Sequence, residues 1–241
     1  MSQEVEFFDL PSKPPCQSWS LNPWRTRLVL NYKNIPYKTT WVEYPDIAPT
    51  FKSFGIPPNL EDGAYAEYTI PAVKLPDGRY IMDSAKIAEE LEKLYPDPPL
   101  YLDSPILKQL LQYSPVAIGP LRPEMMPKVC YNLLNPRSVE YFERTRAERF
   151  GMPLTEYAKL GGDQAFQEAT PGLKQMGDVL RANGGPFCMG KTPSYADLAL
   201  LGVLEFCKRM GGGVFERVVK IEPAMATLYE AGAPWLERNS Y

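Results

Sequence analysis

A serine lies just before a predicted helix start and could take part in chemistry on an anion or a thiolate. Asn22 and Pro23 are residue types preferred at the N-cap and the first helical position, and Ser20 precedes that cap by two residues. Free N–H groups and the positive end of the helix dipole stabilise an anion there. A serine hydroxyl directed at the same point donates a hydrogen bond to a thiolate and lowers its pKa. Taken alone, this signal fits an ordinary loop serine better.

A proline at the start of a predicted strand marks a second candidate position. Pro71 follows Ile70 at the beginning of an apolar run. Because proline cannot donate to a strand ladder, it suits a sheet edge, a turn or a cis peptide. A cis bond would expose the N–H and C=O of Ile70 to a peptide-like ligand, which could then pair as an additional strand. The cis form is a minority even among X–Pro bonds, so this dipeptide by itself is a weak signal.

An acid and a serine open a later predicted helix, at Asp83 and Ser84. Ser84 could hold a ligand carboxylate at the helix N-terminus, while Asp83 pairs with an ammonium group. Ordinary helix capping explains the same two residues when they are taken alone.

The reactive residue types are restricted, because the sequence contains no histidine. This absence excludes Ser–His and Cys–His nucleophiles and the commonest metal ligand, so no metal site is predicted. Cys16, Cys130, Cys188 and Cys207 are scattered without a C-x-x-C pair, which argues against a thioredoxin-type dithiol enzyme. The catalyst must therefore use a hydroxyl, a thiol, a carboxylate or an amine, or obtain its reactive group from a cofactor.

Composition is that of an ordinary globular protein, with 241 residues, 44% of them hydrophobic and 23% charged. The formal charge of −3 gives no electrostatic footprint for nucleic acid, and no apolar stretch is long enough to predict a membrane span. The first residues are acidic and lack the pattern of a signal peptide, so a cytoplasmic location with reduced thiols is expected.

The first hundred residues have the pattern βαβ followed by ββα. Asn and Pro punctuate the first helix, and Pro76-Asp77-Gly78 is a strong hairpin signal between the last two strands. This order predicts a thioredoxin-like α/β domain, since right-handed crossovers leave few alternatives. Strands are predicted at 5–10, 37–44, 70–75 and 79–82, a loop with one irregular helix at 46–63, and helices at 22–32 and from 83 onward.

A proline-rich break at 95–100 separates this region from a second half with helical patterns only. We therefore predict a thioredoxin-like domain at residues 1–95, a linker at 96–104 and an all-α helical bundle at 105–241. Ser194 and Asp197 have the spacing of a capping box at the start of a helix in that bundle.

In this order the motifs resemble the glutathione transferase family. The run from Trp24 to Lys38, WRTRLVLNYKNIPYK, resembles the first helix and second strand of zeta-class and fungal etherase-type members. Gly190 to Asp197 resembles the family's capping motif in its core helix, and Leu134 to Phe142 resembles only the fungal type. Asn22 stands where zeta enzymes have an active-site cysteine, which separates this chain from their specific chemistry.

The resemblance implies a site for glutathione along the first domain. It places Ser20 at the catalytic serine, Ile70 and Pro71 at the cis-proline motif, and Asp83 and Ser84 at the γ-glutamyl-binding pair. Asn22 is expected as a second donor to the thiolate and Thr69 as part of the peptide-binding segment. The glycine carboxylate needs a cation, and Lys52 is the candidate, although the loop that contains it does not align with the family. A hydrophobic electrophile is expected between the domains, near Met125, Met126 and Tyr131. Cys16 lies too early in the alignment to be the active residue.

The implied activity is attack of an activated glutathione thiolate on that electrophile, with conjugation as the outcome. Cleavage of an aryl ether, and cis–trans isomerisation of an alkene by addition, rotation and elimination in a fungal natural-product pathway, stay open as alternatives. A non-catalytic stress or scaffold protein is the alternative of another class. The resemblance also implies a homodimer.

Overall fold

A sheet of four strands forms the centre of the first half of the chain in the computed structural model, which describes residues 4–59 and 66–241. The strands are β1 (Val5–Asp9), β2 (Tyr37–Trp41), β3 (Ala72–Lys74) and β4 (Tyr80–Met82). Their order is β2-β1-β3-β4, with β1 parallel to β2 and antiparallel to β3. The predicted hairpin is present, with Gly78 at a φ of +91°. Residues 60–63 of the predicted loop and residues 1–3 lie outside the described residues.

The helices of this half lie on both faces of the sheet: α1 (Leu21–Tyr32), α2 (Ile47–Ser53) and α3 (Ser84–Leu94). Adjacent residues of a strand point to opposite faces. Phe8 therefore contacts Phe51 of α2 at a ring-centroid distance of 5.6 Å, while Phe7 lies against Arg27 of α1 on the other face. Helices α1 and α3 also pack against each other.

Several predicted boundaries were wrong by one to three residues, at both ends of β3, at the ends of β1 and β2 and at the starts of β4 and α1. Helix α1 begins at Leu21 with Ser20 as its N-cap, so Asn22 is an exposed residue of the first turn, not the cap. Pro23 is tolerated there because first-turn N–H groups have no helical partner. Strand β3 begins at Ala72, so Ile70 and Pro71 precede it, and β2 ends at Trp41 because a 3₁₀ turn follows at Tyr44–Asp46.

The second half of the chain is helical, apart from a 3₁₀ turn at Ala158–Leu160, a π-helical turn at Val129–Leu133 and isolated bridges near residue 190. Its helices are α4 (Pro105–Ile118), α5 (Arg122–Lys128), α6 (Pro136–Phe150), α7 (Leu154–Tyr157), α8 (Asp163–Arg181), α9 (Tyr195–Met210), α10 (Val214–Ile221), α11 (Ala224–Ala231) and α12 (Ala233–Leu236).

Helix α9 is the buried core helix of the bundle, and its start has the predicted capping box. Asp197 has no exposed surface and accepts hydrogen bonds from the N–H groups of Ser194 at 2.8 Å and Cys188 at 2.7 Å. A Cβ atom on Gly202 would lie only 3.3 Å from the carbonyl oxygen of Leu21, so the missing side chain lets α9 approach α1 closely. The predicted fold class, a thioredoxin-like domain with an all-α bundle, is confirmed.

Candidate active site

Ser20 is the N-cap of α1 and lies where a ligand can reach it. Its backbone is extended, with φ −78° and ψ 138°, and its carbonyl oxygen accepts the N–H of Trp24 at 2.9 Å. The side chain is half-buried, and within the described ranges its hydroxyl has no hydrogen-bond partner. Because Pro23 has no N–H, the free donors of the first turn are those of Leu21 and Asn22. A half-buried hydroxyl and two N–H groups therefore meet at the positive end of the helix.

The loop before Ser20 is held by a buried carboxylate at the end of β1. Asp9 has no exposed surface and accepts hydrogen bonds from the Leu10 N–H at 2.7 Å, the Ser18 hydroxyl and Nη2 of Arg27 at 3.1 Å. Burial raises the pKa of the Asp9 carboxyl above its ordinary value, while the charge of Arg27 opposes that rise. Asp9 thus links the strand, the loop and α1. Its contact in the loop, Ser18, precedes the catalytic candidate Ser20 by two residues.

Arg27 completes this buried cluster from α1. Its guanidinium donates to Thr39 at 3.0 Å and to the Tyr37 hydroxyl at 3.2 Å, and it lies 5.0 Å from the ring centre of Phe7. Sequence reasoning missed Asp9 and Arg27. The available signal was that Arg27 falls on the same helical face as the apolar residues Trp24 and Leu28. A charged side chain on a buried face needs a partner.

Trp19 fixes the loop from the side of the helical bundle. Its ring is 2% exposed and lies 6.3 Å from Phe206 of α9 and 6.5 Å from Tyr44, measured between ring centres. The indole N–H donates to the carbonyl oxygen of Pro11 at 3.1 Å. Because these contacts hold Trp19, the position of the next residue, Ser20, is restricted.

The segment before β3 presents free backbone groups beside the sheet. The Ile70–Pro71 bond is cis, and Ile70 forms no backbone hydrogen bond with the rest of the described chain. The Thr69 N–H points to Sδ of Met82 at 3.1 Å. An extended peptide can pair with the N–H and C=O of Ile70, as in strand addition.

Asp83 and Ser84 lie next to this segment, because the Asp83 N–H donates to the carbonyl oxygen of Pro71 at 3.2 Å. Asp83 has a φ of +86°, and its Oδ1 accepts the N–H groups of Ala85 at 2.8 Å and Lys86 at 3.2 Å. Capping therefore occurs, as ordinary helix chemistry predicts. The Asp83 side chain is exposed as well, so its other oxygen is accessible to a cation, and Ser84 is the first residue of α3.

Lys52 lies at the end of α2, on the side of residues 67–68. Its side chain is exposed, with Nζ 3.9 Å from Glu67 Oε2 and 5.5 Å from the ring centre of Tyr68. The ion pair is long and exposed, so it holds Lys52 weakly and the ammonium group can turn toward a ligand carboxylate.

The three residues predicted to line the electrophile pocket differ in their exposure to solvent. Met125 is 2% exposed and lies in the hydrophobic core, Met126 is half-buried, and Tyr131 is 41% exposed. The Tyr131 hydroxyl donates to Glu143 at 2.7 Å, and this hydrogen bond raises the pKa of Tyr131 to about 12. Met125 cannot line an open site in this arrangement.

A cavity of about 650 Å³ lies beside the loop that precedes Ser20. Segments 12–19, 132–133 and 229–237 surround it together with the end of α9, and its apolar walls include Trp19, Leu133 and Leu236. On α9, Glu205 accepts the Tyr229 hydroxyl and Nε of Arg209, each at 2.5 Å. Sequence reasoning missed this cavity, although a Glu and an Arg four residues apart in an apolar helix were a visible signal.

The remaining cysteine and metal predictions concern alternative chemistry. Burial raises the pKa of the Cys16 thiol above its ordinary value, which disfavours the reactive thiolate form. In the part of the chain that the structure describes, no group of His, Cys, Asp and Glu could hold a metal ion. Among the same residues, no helix is long and apolar enough to cross a membrane.

Comparison with known proteins identifies the family. Sequence profiles of the glutathione S-transferase N-terminal and C-terminal domains match residues 19–94 and 111–224. The chain is 34% identical to the glutathione S-transferase-like protein ustS of Aspergillus flavus, over 97% of this chain and 91% of that protein. The chain belongs to the glutathione transferase family.

Solved structures agree in fold and in overall length. The glutathione transferase GSTFuA3 of Phanerochaete chrysosporium matches with a TM-score of 0.87 and 31% identity, over 98% of each chain. CsGST63524 of Ceriporiopsis subvermispora, crystallised in complex with glutathione, matches with a TM-score of 0.85 and 33% identity, over 97% of this chain and 98% of that one. The predicted resemblance to fungal members of the family is confirmed.

Asp9→Ala should lower the free energy of unfolding by about 3–5 kcal/mol, because it leaves the Arg27 guanidinium buried without its carboxylate. Urea unfolding followed by far-UV circular dichroism measures this. Asp163→Ala is the matched control, since Asp163 also pairs with an arginine but is 88% exposed. Equal, small losses in both variants would show that Asp9 does not support the fold.

Proposed function

We propose that the protein is an enzyme that activates the thiol of bound glutathione through Ser20 and directs the thiolate at a hydrophobic electrophile. The observation that carries this proposal is the half-buried Ser20 hydroxyl at the start of α1, which has no hydrogen-bond partner among the described residues. Hydrogen bonds from that hydroxyl and from first-turn N–H groups favour the charged form of a thiol and lower its pKa. Asn22, exposed in the same turn, is proposed as a second donor.

The tripeptide would lie along the first domain in an extended conformation. We place its cysteinyl backbone against Ile70 beside Thr69 and Pro71, and its γ-glutamyl end at Asp83 and Ser84. This arrangement is supported by the hydrogen bond between the Asp83 N–H and the Pro71 carbonyl oxygen, which makes the two segments adjacent. Lys52 is the proposed cation for the glycine carboxylate, since its ammonium group is exposed and weakly held.

The electrophile would occupy the cavity beside the 12–19 loop. Trp19, the residue before Ser20 in the chain, forms part of its wall, and this adjacency in the chain supports placing the acceptor there. Apolar side chains and several polar and charged groups line the cavity, so it could hold an acceptor with both apolar and polar parts. Met126 and Tyr131 stay candidate contacts for a large acceptor, whereas a contact to Met125 would require the core to open.

The outcome of thiolate attack depends on the acceptor, and conjugation is our first proposal. Isomerisation by addition, rotation and elimination is the second, because the chain is also 26% identical to a probable maleylacetoacetate isomerase of Drosophila melanogaster. Ether cleavage stays a third possibility. A non-catalytic scaffold is less well supported, since Ser20, Pro71 and Ser84 are all present.

We further propose the domain division at residues 95 and 105, a homodimer, a cytoplasmic location and a role in fungal secondary metabolism.

Ser84→Ala should weaken glutathione binding by about 1.5–3 kcal/mol, the range for a hydrogen bond to a charged group, because the γ-glutamyl carboxylate loses the hydroxyl donor. Isothermal titration calorimetry of wild type and variant measures the difference. Ser53→Ala, a serine exposed at the end of α2, serves as the control and should leave affinity unchanged. No binding to the wild type at millimolar glutathione would refute the proposed function.

Product analysis by mass spectrometry should separate the reaction classes, using a panel of epoxides, activated alkenes and aryl ethers with glutathione. Conjugation adds the mass of glutathione, by addition to an epoxide or with loss of a leaving group. Isomerisation leaves the mass unchanged with a new retention time, and ether cleavage releases a phenol. If the wild type converts at least one class of compound and Ser20→Ala does not, the proposed enzyme activity is supported. Equal turnover by both proteins would contradict the proposed role of Ser20.

A further inference from the structure

A pair of opposite charges on α9 forms part of the polar wall of the cavity beside the 12–19 loop. Glu205 and Arg209 both line that cavity, and Arg209 Nε lies 2.5 Å from Glu205 Oε1. The Glu205 side chain is 3% exposed and that of Arg209 is 22% exposed. Because solvent reaches them so little, their charges are screened less than charges on an open surface.

Each member of this pair has a further contact. The second oxygen of Glu205, Oε2, accepts the Tyr229 hydroxyl at 2.5 Å, so both carboxylate oxygens have a partner. Arg209 Nη1 donates to Oε1 of Gln17 in the loop before Ser20. Its Nη2 has no hydrogen-bond partner in the part of the chain that the structure describes. The guanidinium therefore has a counter-charge already, but it keeps N–H groups for an oxygen atom of a bound molecule.

The other charged residues that line the cavity are exposed: Lys13, Lys208 and Glu237. Water and dissolved salt screen such charges, so their contribution to the selection of a ligand is small. Among the described lining residues, the sheltered charges are thus those of Glu205 and Arg209 alone, and these two balance. The sheltered part of the wall has no net charge.

This balance discriminates between acceptors by charge. A carboxylate on the acceptor would have to compete with Glu205 for Arg209, and it would lie beside a negative charge while losing its own water. A hydroxyl or carbonyl oxygen avoids that repulsion and can still accept a hydrogen bond from Arg209. The apolar parts of the same acceptor would contact side chains such as Trp19 and Leu236.

We propose that Glu205 is a specificity-determining residue that restricts the cavity to uncharged acceptors bearing hydroxyl or carbonyl oxygens. Glu205 acts through Arg209, which without it would be an open cation for a carboxylate. This inference rests on the proposed function and names the class of acceptor for the same site.

The test uses two glutathione conjugates that differ in the charge of one group, S-(4-carbamoylbenzyl)glutathione and S-(4-carboxybenzyl)glutathione. Their affinities are measured by isothermal titration calorimetry, and the ratio of the two cancels the shared glutathione contacts. The wild type should bind the carbamoyl conjugate about tenfold more tightly, because like charges placed side by side cost free energy. Glu205→Gln keeps the size of the side chain and removes its charge. It should move the ratio toward the carboxy conjugate by about tenfold to a hundredfold, the range for a hydrogen bond to a charged group.

Two further variants show whether the effect belongs to this pair. Glu237→Gln removes an exposed carboxylate from the wall of the same cavity and should change the ratio by less than about threefold. The double variant Glu205→Gln, Arg209→Met removes both charges of the pair. It should lose the gain in affinity for the carboxy conjugate, because the freed cation is absent.

A ratio that is the same in wild type and Glu205→Gln, or an equal shift in Glu237→Gln, would overturn the proposal. A wild type that prefers the carboxy conjugate, or that binds glutathione but neither conjugate, would overturn it as well. If Glu205→Gln does not fold, the preference of the wild type decides. In all these cases glutathione binding would still stand, whereas failure of the wild type to bind glutathione itself would refute the proposed function.

Discussion

The contact of Asp9 with Arg27 and Ser18 is the constraint on which the geometry of the candidate site depends. It joins the end of β1, the middle of α1 and the loop between them in one place with no exposed surface. A buried charge pair is retained only when its remaining polar atoms are satisfied, and here Thr39, Tyr37 and the Leu10 N–H supply most of those partners. Movement of the loop would break the hydrogen bond between Ser18 and Asp9 and disturb this buried cluster. The cluster therefore fixes the path of the chain that leads into Ser20.

The helical half of the chain adds a second restraint from the opposite side. Phe206 of α9 covers Trp19, and Arg209 contacts Gln17 of the same loop while Glu205 holds its Nε. Helix α6 restrains the connection after β2, because Ser138 donates to Glu43 and accepts the N–H of Tyr44. The site is therefore a product of both halves, although the proposed glutathione contacts lie mainly in the first.

Sequence patterns were sufficient where local chemistry determines local structure. The hairpin at Pro76-Asp77-Gly78, the cap at Asp83 and the capping box of Ser194 and Asp197 each depend on residues at most a few positions apart. The start of α1 was misplaced because Asn22 and Ser20 are both good caps, and only the observed hydrogen bond from Trp24 to Ser20 distinguishes them.

Features that join distant segments could not be read in this way. The side-chain partners of Asp9 are nine and eighteen residues away, and the cavity is formed by four separate parts of the chain. The inward orientation of Met125 depends on the rotation of α5, a short helix with two prolines whose apolar pattern does not define one face. Tertiary packing decides these positions, so the acceptor site was the least predictable part of the protein.

The account is tested most directly by the pKa of the glutathione thiol in the binary complex. Thiolate absorbance is titrated against pH for the wild type and for Ser20→Ala, with Ser53→Ala, a serine exposed at the end of α2, as the control. If Ser20 donates to the thiolate, Ser20→Ala should raise the pKa by about one to two units, equivalent to roughly 1.5–3 kcal/mol, while glutathione affinity barely changes. Superimposable curves for wild type and Ser20→Ala would contradict the central claim and assign thiol activation to the helix N-terminus or to Asn22.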